Sequence, residues 1–269
     1  MNIFLTGCSG FLGSHILHKL CVQNIHTIYC IIRNHTDINL FKNFPNITRR
    51  CRFVISDMNT PNKYIHILQK CHMAIHTAFD LPKEEHRIID IAVTNLKNIL
   101  DNVNRKIFRR FILTSSITTV YKKNKTCDES CWNIDDNKPF NKSKVLLEIE
   151  CFKYKLKGIN VVSVNPGTLF GPDIINKKSK NTQIINKLLN SPYYPVGTNT
   201  RITFCDVRDA ATFHILALNI NKIKHGRYIV CNTTIDTKSL IKKCNMFAPN
   251  KVKVPLVYVN KEIITFGME

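Results

Sequence analysis

Eight residues near the amino end, Thr6-Gly7-Cys8-Ser9-Gly10-Phe11-Leu12-Gly13, restrict the fold more than any other part of the chain. A short apolar run, Ile3-Phe4-Leu5, precedes them and reads as a buried strand. Ile16, Leu17, Leu20 and Cys21 follow at helical spacing. A glycine-rich turn between a first strand and a first helix builds a phosphate cradle. In it Gly7 permits the tight turn, Gly10 lets the backbone approach a pyrophosphate, and Gly13 lets the helix lie close to the sheet. The N–H groups and positive dipole end of the helix then face the phosphates. A glycine triplet alone is a weak signal; the strand–turn–helix setting is what the mechanism demands. Three of the chain's nine glycines fall here at regular spacing, which makes a chance surface turn the poorer reading.

Strand-like and helix-like segments then alternate. Strands are predicted at Asn2–Thr6, His26–Ile32, Arg52–Ser56, Met73–Thr77, Arg110–Thr114 and Asn160–Val164. Helices are predicted at Leu12–Gln23, Lys63–Lys70, Glu84–Asn102, Phe140–Leu156 and Asp209–Asn219. Most of the strands are short continuous apolar runs, as expected when both faces of a parallel sheet are covered by helices. The fold class is therefore α/β, a doubly wound parallel sheet with ligand bound beyond the carboxyl ends of its strands. Pro166, Gly171 and Pro172 break the pattern. A loop, a helix near Thr182–Asn190 and a turn at Ser191–Gly197 follow. Residues 1–165 read as the nucleotide-binding unit. Residues 166–269 read as a small substrate lobe interwoven with the sheet.

Charge and cysteine content bound the partners. The formal charge of +20 raises affinity for polyanions in general. Lys and Arg are nevertheless spread out, with short clusters such as Arg49-Arg50, Arg109-Arg110 and Lys177-Lys178, so they read as a solvated coat and no dedicated nucleic-acid site is expected. The eleven cysteines include no C-x-x-C pair and no zinc-type spacing, so no metal is expected. They read as buried reduced thiols. The first strand leaves no room for a signal peptide and no apolar run reaches membrane-spanning length, so a cytoplasmic location without a membrane span is expected.

Two positions bear on a bound nucleotide. Arg33 follows the second strand, where an Asp or Glu would bind a ribose 2′-hydroxyl; a guanidinium suits a 2′-phosphate by charge and fork geometry. The competing reading is a surface arginine at a strand end. Asp57 either accepts from an adenine amino group or serves as a turn or cap residue before Pro61. His76-Thr77-Ala78 closes the fourth strand; there a small residue lets a ribose pass, and His76 reads as held by packing and not as a base.

With these residues in place, the chain resembles the extended short-chain dehydrogenase/reductases (the NAD-dependent epimerase/dehydratase superfamily). It is most similar to their dihydroflavonol-reductase and 3β-hydroxysteroid-dehydrogenase-like branch. Further signs are Phe111–Ser116, Asp128–Trp132, Ser143-Lys144 with Glu148, Asn165-Pro166-Gly167, Phe170-Gly171-Pro172, Asp206–Ala210 and Gly226-Arg227-Tyr228. The resemblance implies a Rossmann-type sheet and hydride transfer between a nicotinamide and a small carbonyl or alcohol substrate. The expected coenzyme is NADP, ahead of NAD. It would be held by Gly7, Ser9, Gly10, Phe11, Leu12, Gly13, Arg33, Asp57, Met58, Thr77, Ala78, Thr114, Lys144, Pro166, Gly167 and Thr168. The resemblance also implies a serine on the substrate oxygen, here Ser116 with Ser115 as the alternative, and the lysine Lys144. A homodimer paired through Glu84–Asn102 and Phe140–Leu156 would fit the family.

The chain departs from the family where it matters chemically. Phe140 stands in place of the tyrosine that acts as general acid or base one helical turn before the lysine. Two functional classes therefore remain open: an oxidoreductase that draws its proton from another group, such as Tyr121 or a water held by Ser116 and Lys144, and a non-catalytic NADP-binding module or redox sensor. Asn95 also replaces a usual glycine, and the substrate lobe is expected to be shortened.

Overall fold

The computed structural model describes residues 1–80, 82, 84–122, 125–183, 196–198, 201–224, 226–247 and 257–259. Its strands are β1 (Asn2–Thr6), β2 (Thr27–Ile32), β3 (Cys51–Ile55), β4 (Met73–His76), β5 (Arg110–Thr114), β6 (Asn160–Pro166), β7 (Thr168–Phe170), β8 (Val196–Thr198), β9 (Arg201–Asp206), β10 (Gly226–Val230), β11 (Thr233–Asp236) and β12 (Val257–Val259). Its α-helices are α1 (Phe11–Gln23), α2 (Ile47–Arg50), α3 (Ile65–Leu68), α4 (Ile88–Leu100), α5 (Pro139–Lys153), α6 (Val207–Leu216) and α7 (Thr237–Phe247).

Seven strands form the central sheet in the order β3-β2-β1-β4-β5-β6-β10. Every neighbouring pair in it is parallel. The order in which strands are added reverses between β1 and β4, so a crevice opens at the carboxyl end of β1. Side chains alternate across the sheet as the pleat requires. Ile3, Leu5 and Ile112 point into a core shared with Ile16 and Leu20 of α1 and with Val207 and Ala211 of α6. Phe4, Phe111 and Leu113 point the other way, into a core with Leu96 and Ile99 of α4 and Leu147 and Cys151 of α5. The expected α/β sheet covered on both faces is thus observed.

Several boundaries differ from the sequence reading. The predicted helix at Lys63–Lys70 is a 3-10 turn at Pro61–Lys63 followed by the single turn α3. The helix predicted from Glu84 begins as a 3-10 turn, Glu85–Arg87, before α4. Helix α6 starts earlier than expected because the Asp206 side chain accepts from the Arg208 N–H and caps it. The helix read near Thr182–Asn190 lies mostly outside the described residues, as does the start of the turn read at Ser191–Gly197. β10 returns from beyond residue 166 to close the central sheet, and β7, β9 and β11 form a separate three-stranded sheet.

Two buried arginines tie this arrangement together. Arg110, read from sequence as part of a surface cluster, is fully buried. Its Nη2 donates to the Ile223 carbonyl at 2.6 Å and its Nη1 to the carbonyls of Ala217 and Asn219, just past the end of α6. A cation there satisfies the orphan carbonyls of the helix terminus. Arg227 of β10 pairs with Glu148 of α5, Nε to Oε2 at 2.6 Å, with both side chains buried. Thr119 Oγ1 donates to Glu148 Oε1 at 2.9 Å, Asn165 Nδ2 donates to the same oxygen, and the Arg227 guanidinium lies 3.8 Å from the Trp132 ring centroid. The eleven cysteines are free and seven are buried; Cys231, read with the rest as a buried thiol, is exposed.

Removing one member of a buried ion pair strands the other charge, at a cost of about 3–5 kcal/mol. Arg227→Met should therefore lower the unfolding free energy by about that amount in urea denaturation, and Glu148→Leu added to it should recover part of the loss.

Candidate active site

The turn after β1 is held by main-chain contacts. Gly10 N donates to the Gly7 carbonyl at 2.9 Å and Ser14 N to the Gly10 carbonyl at 3.0 Å. Gly7 has φ +74°, and a Cβ on it would meet Thr77 Oγ1 at 2.5 Å and Ala78 N at 2.6 Å. A Cβ on Gly13 would collide with the Gly7 carbonyl. Both positions need glycine, one for its dihedral and for space, the other for the approach of α1 to the turn. Gly10 caps α1 with no side-chain hydrogen bond, and the first helical turn carries no acidic residue, which suits an anion at this end.

From the neighbouring strand, Thr77 Oγ1 donates to the Thr6 carbonyl at 2.7 Å, and Ala78 N donates to Thr6 Oγ1 at 3.3 Å. Thr6 Oγ1 also bonds His76 Nδ1 at 2.8 Å. His76 is buried, and burial, helped by the nearby Lys144 charge, pushes its pKa down to about 3. It is a neutral structural imidazole, as the sequence reading holds.

A cavity of ≈ 410 Å³ opens over this turn. Of the expected cofactor residues it collects Gly7, Ser9, Gly10, Arg33, Asp57, Met58, Thr77 and Ala78 on its walls. Phe11, Leu12 and Gly13 lie in the first turn of α1 and do not line it. Pro166 ends β6 and Thr168 opens β7; between them a Cβ on Gly167 would meet the Thr203 carbonyl at 2.7 Å. These three also lie off the cavity wall. Asp57 Oδ1 accepts from Asn59 N at 2.8 Å, the turn role weighed from sequence, while the residue still lines the cavity. Lining residues that the sequence reading does not name as cofactor residues include Asp37, Phe79, Asp80 and Lys177. Arg33 Nη2 donates to Asp80 Oδ1. Because β2 and β4 flank β1, this pair reaches across the carboxyl end of β1.

The other half of the site forms at the ends of β5 and α5. Ser116 Oγ accepts from Thr118 N at 3.2 Å and from Thr118 Oγ1 at 3.0 Å, so its own proton remains for an outside acceptor. Ser115 is buried and its Oγ has no hydrogen-bond partner among the described residues. Lys144 projects inward from α5 and its Nζ donates to the Thr114 carbonyl at 3.2 Å. Thr114 Oγ1 in turn bonds His214 Nε2 at 2.9 Å. Lys144 Nζ lies 3.7 Å from the Phe79 ring centroid and 5.9 Å from that of Phe140. Phe79 and Phe140 meet edge to face at 5.5 Å. Phe140 is thus at the site, one turn before the lysine, and 38% exposed. Burial pushes the Lys144 pKa down to about 7, against the opposing pull of Glu148. Tyr121 is 56% exposed.

These positions can be set beside known proteins. The family model described as the NAD dependent epimerase/dehydratase family matches residues 3–231. The chain belongs to this family. Among curated relatives of this epimerase/dehydratase chain, Cinnamoyl-CoA reductase 2 of Arabidopsis thaliana is 25% identical over 260 residues, which cover 92% of this chain and 77% of the relative. NADPH-dependent methylglyoxal reductase GRE2 of Saccharomyces cerevisiae is 25% identical over 265 residues, 86% of this chain and 78% of the relative. The fold matches yeast methylglyoxal/isovaleraldehyde reductase Gre2 complexed with NADPH at a TM-score of 0.80, with 23% identity, over 97% of this chain and 91% of that one. It matches vestitone reductase from alfalfa (Medicago sativa L.) at a TM-score of 0.78, with 23% identity, over 100% and 92%.

The lysine yields a test within this family fold. Below about pH 7 Lys144 is charged whether folded or not, and the full cost of burying the ammonium weighs on the fold. As pH rises from about 7 towards the ordinary value of 10.5, the folded chain sheds the proton while the unfolded chain keeps it, so that cost fades. The stability of the natural chain relative to Lys144→Met should therefore rise with pH across that window in paired urea titrations.

Proposed function

We propose that this chain is an NADP-dependent oxidoreductase acting on a small carbonyl or alcohol. The observation that carries the reading is one continuous arrangement at the carboxyl end of the sheet. It runs from the glycine turn, shaped to take a pyrophosphate, to Ser116 and Lys144 at the ends of β5 and α5. A bound reduced nicotinamide supplies a hydride to a carbonyl carbon. The turn at Gly7, Ser9 and Gly10 would take the phosphates at the amino end of α1, Arg33 would meet the adenosine end, and Lys144 would orient the far ribose. Residues beyond 166 supply the wall against which the substrate rests.

The reaction needs one proton at the substrate oxygen. Ser116 donates a hydrogen bond to that oxygen. Phe140 has no hydroxyl, so the proton would come through a water held between Ser116 and Lys144, whose Nζ donates to the Thr114 carbonyl at 3.2 Å and whose pKa burial lowers to about 7. NADPH-dependent reduction of methylglyoxal, named for one relative, motivates short aldehydes as first probes. A non-catalytic NADP-binding module is the second reading, and Phe79 favours it: its ring covers the ammonium that must reach the ribose.

A direct comparison separates the two. Phe140→Tyr should raise the rate of NADPH oxidation with methylglyoxal or isovaleraldehyde by about 10²–10⁴-fold over the natural chain. Measurable NADPH binding with no turnover in either form would leave the binding module standing. No binding of NADPH or NADH would remove the dinucleotide reading altogether.

A further inference from the structure

Arg33 is not a free cation. Its guanidinium is 66% exposed at the end of β2, yet it is already engaged by Asp80, which is 25% exposed and follows β4. Both residues line the nucleotide cavity. The charges around that cavity are also unlike those of the chain as a whole. Against the formal +20, its walls carry, among the described residues, two cations, Arg33 and Lys177, and three carboxylates, Asp37, Asp57 and Asp80. A ribose 2′-phosphate entering there meets a net negative wall and an arginine whose charge is partly neutralised. Like charges within a few ångströms repel by about 1 kcal/mol even in bulk water, and by more where water is thinned.

We propose that Asp80 is a specificity-determining residue that competes with the coenzyme 2′-phosphate for Arg33 and so narrows the preference of the site for NADPH over NADH. This rests on the dinucleotide reading above and adds to it. Where Arg33 alone would select the phosphorylated coenzyme, the Arg33–Asp80 pair admits both. The phosphate must displace the carboxylate to reach the guanidinium. A 2′-hydroxyl needs no such displacement, because it can donate to Asp80 with the pair intact.

The test is equilibrium binding of NADPH and NADH, followed by nucleotide fluorescence, to the full chain and to Asp80→Asn. The asparagine keeps the shape and removes the charge, and the position is on a partly exposed turn. NADPH should bind about five- to tenfold tighter to Asp80→Asn, while NADH changes by less than about twofold. Adding Arg33→Ala to Asp80→Asn should erase the gain. An equal shift for both coenzymes would overturn the proposal while leaving dinucleotide binding in place. So would weaker NADPH binding, which would mean that Asp80 holds Arg33 ready for the phosphate. Failure of the natural chain to bind either coenzyme would overturn this proposal and the proposed function together.

Discussion

The closeness of the β1–α1 turn to the end of β4 governs the rest of the site. Gly7 lies so near Thr77 and Ala78, and Gly13 so near the Gly7 carbonyl, that a single methyl group at either glycine would force the backbone apart. That contact draws the amino end of α1 down onto the sheet and leaves the Gly10 end of the helix facing the crevice. It also fixes where the chain leaves β4, and therefore where Phe79 and Asp80 point. The phosphate cradle, the aromatic cover on Lys144 and the carboxylate on Arg33 all follow from one tight packing of backbone on backbone.

A second constraint orders the opposite half. Glu148 and Arg227 are both buried, and neither charge is tolerable without the other. Their union fastens α5 to β10, and Arg227 also donates to the carbonyls of Glu129 and Cys131 in the stretch between β5 and α5. Glu148 stands one turn after Lys144 on the same helix, so the network that anchors the glutamate also sets the height of the lysine. The lysine then gives up water for a pocket of two phenyl rings and one carbonyl, and its basicity falls accordingly.

Much of this was readable along the chain, and the failures have physical causes. The β1–α1 turn and the first six strands were legible because each is a local pattern: glycines at fixed spacing, or a short apolar run between breakers. β10 was missed as a strand because its inward side chain is an arginine, whose partner lies in a helix far away in sequence. Arg110 was misread for the same reason: a guanidinium beside Arg109 looks solvated until the end of α6 is brought to it. Asp80 gave no signal at all, since its meaning depends on Arg33, 47 residues away and across an intervening strand. Phe140, Ser116 and Lys144 were located from the family pattern, but the Phe79 ring that covers the lysine was not.

The separation between Glu148 and Arg227 has a consequence for how the molecule is made. Seventy-nine residues divide the two partners. A nascent chain emerging from the ribosome therefore presents α5 and β6 well before the arginine exists to neutralise the carboxylate. Until then the glutamate must stay hydrated and the edge of β6 unpaired, so the second half of the sheet stays loose while the glycine turn and the first strands can already settle. The last strand of the central sheet to arrive carries the arginine, and with it the sheet closes and the buried carboxylate gains its counter-charge.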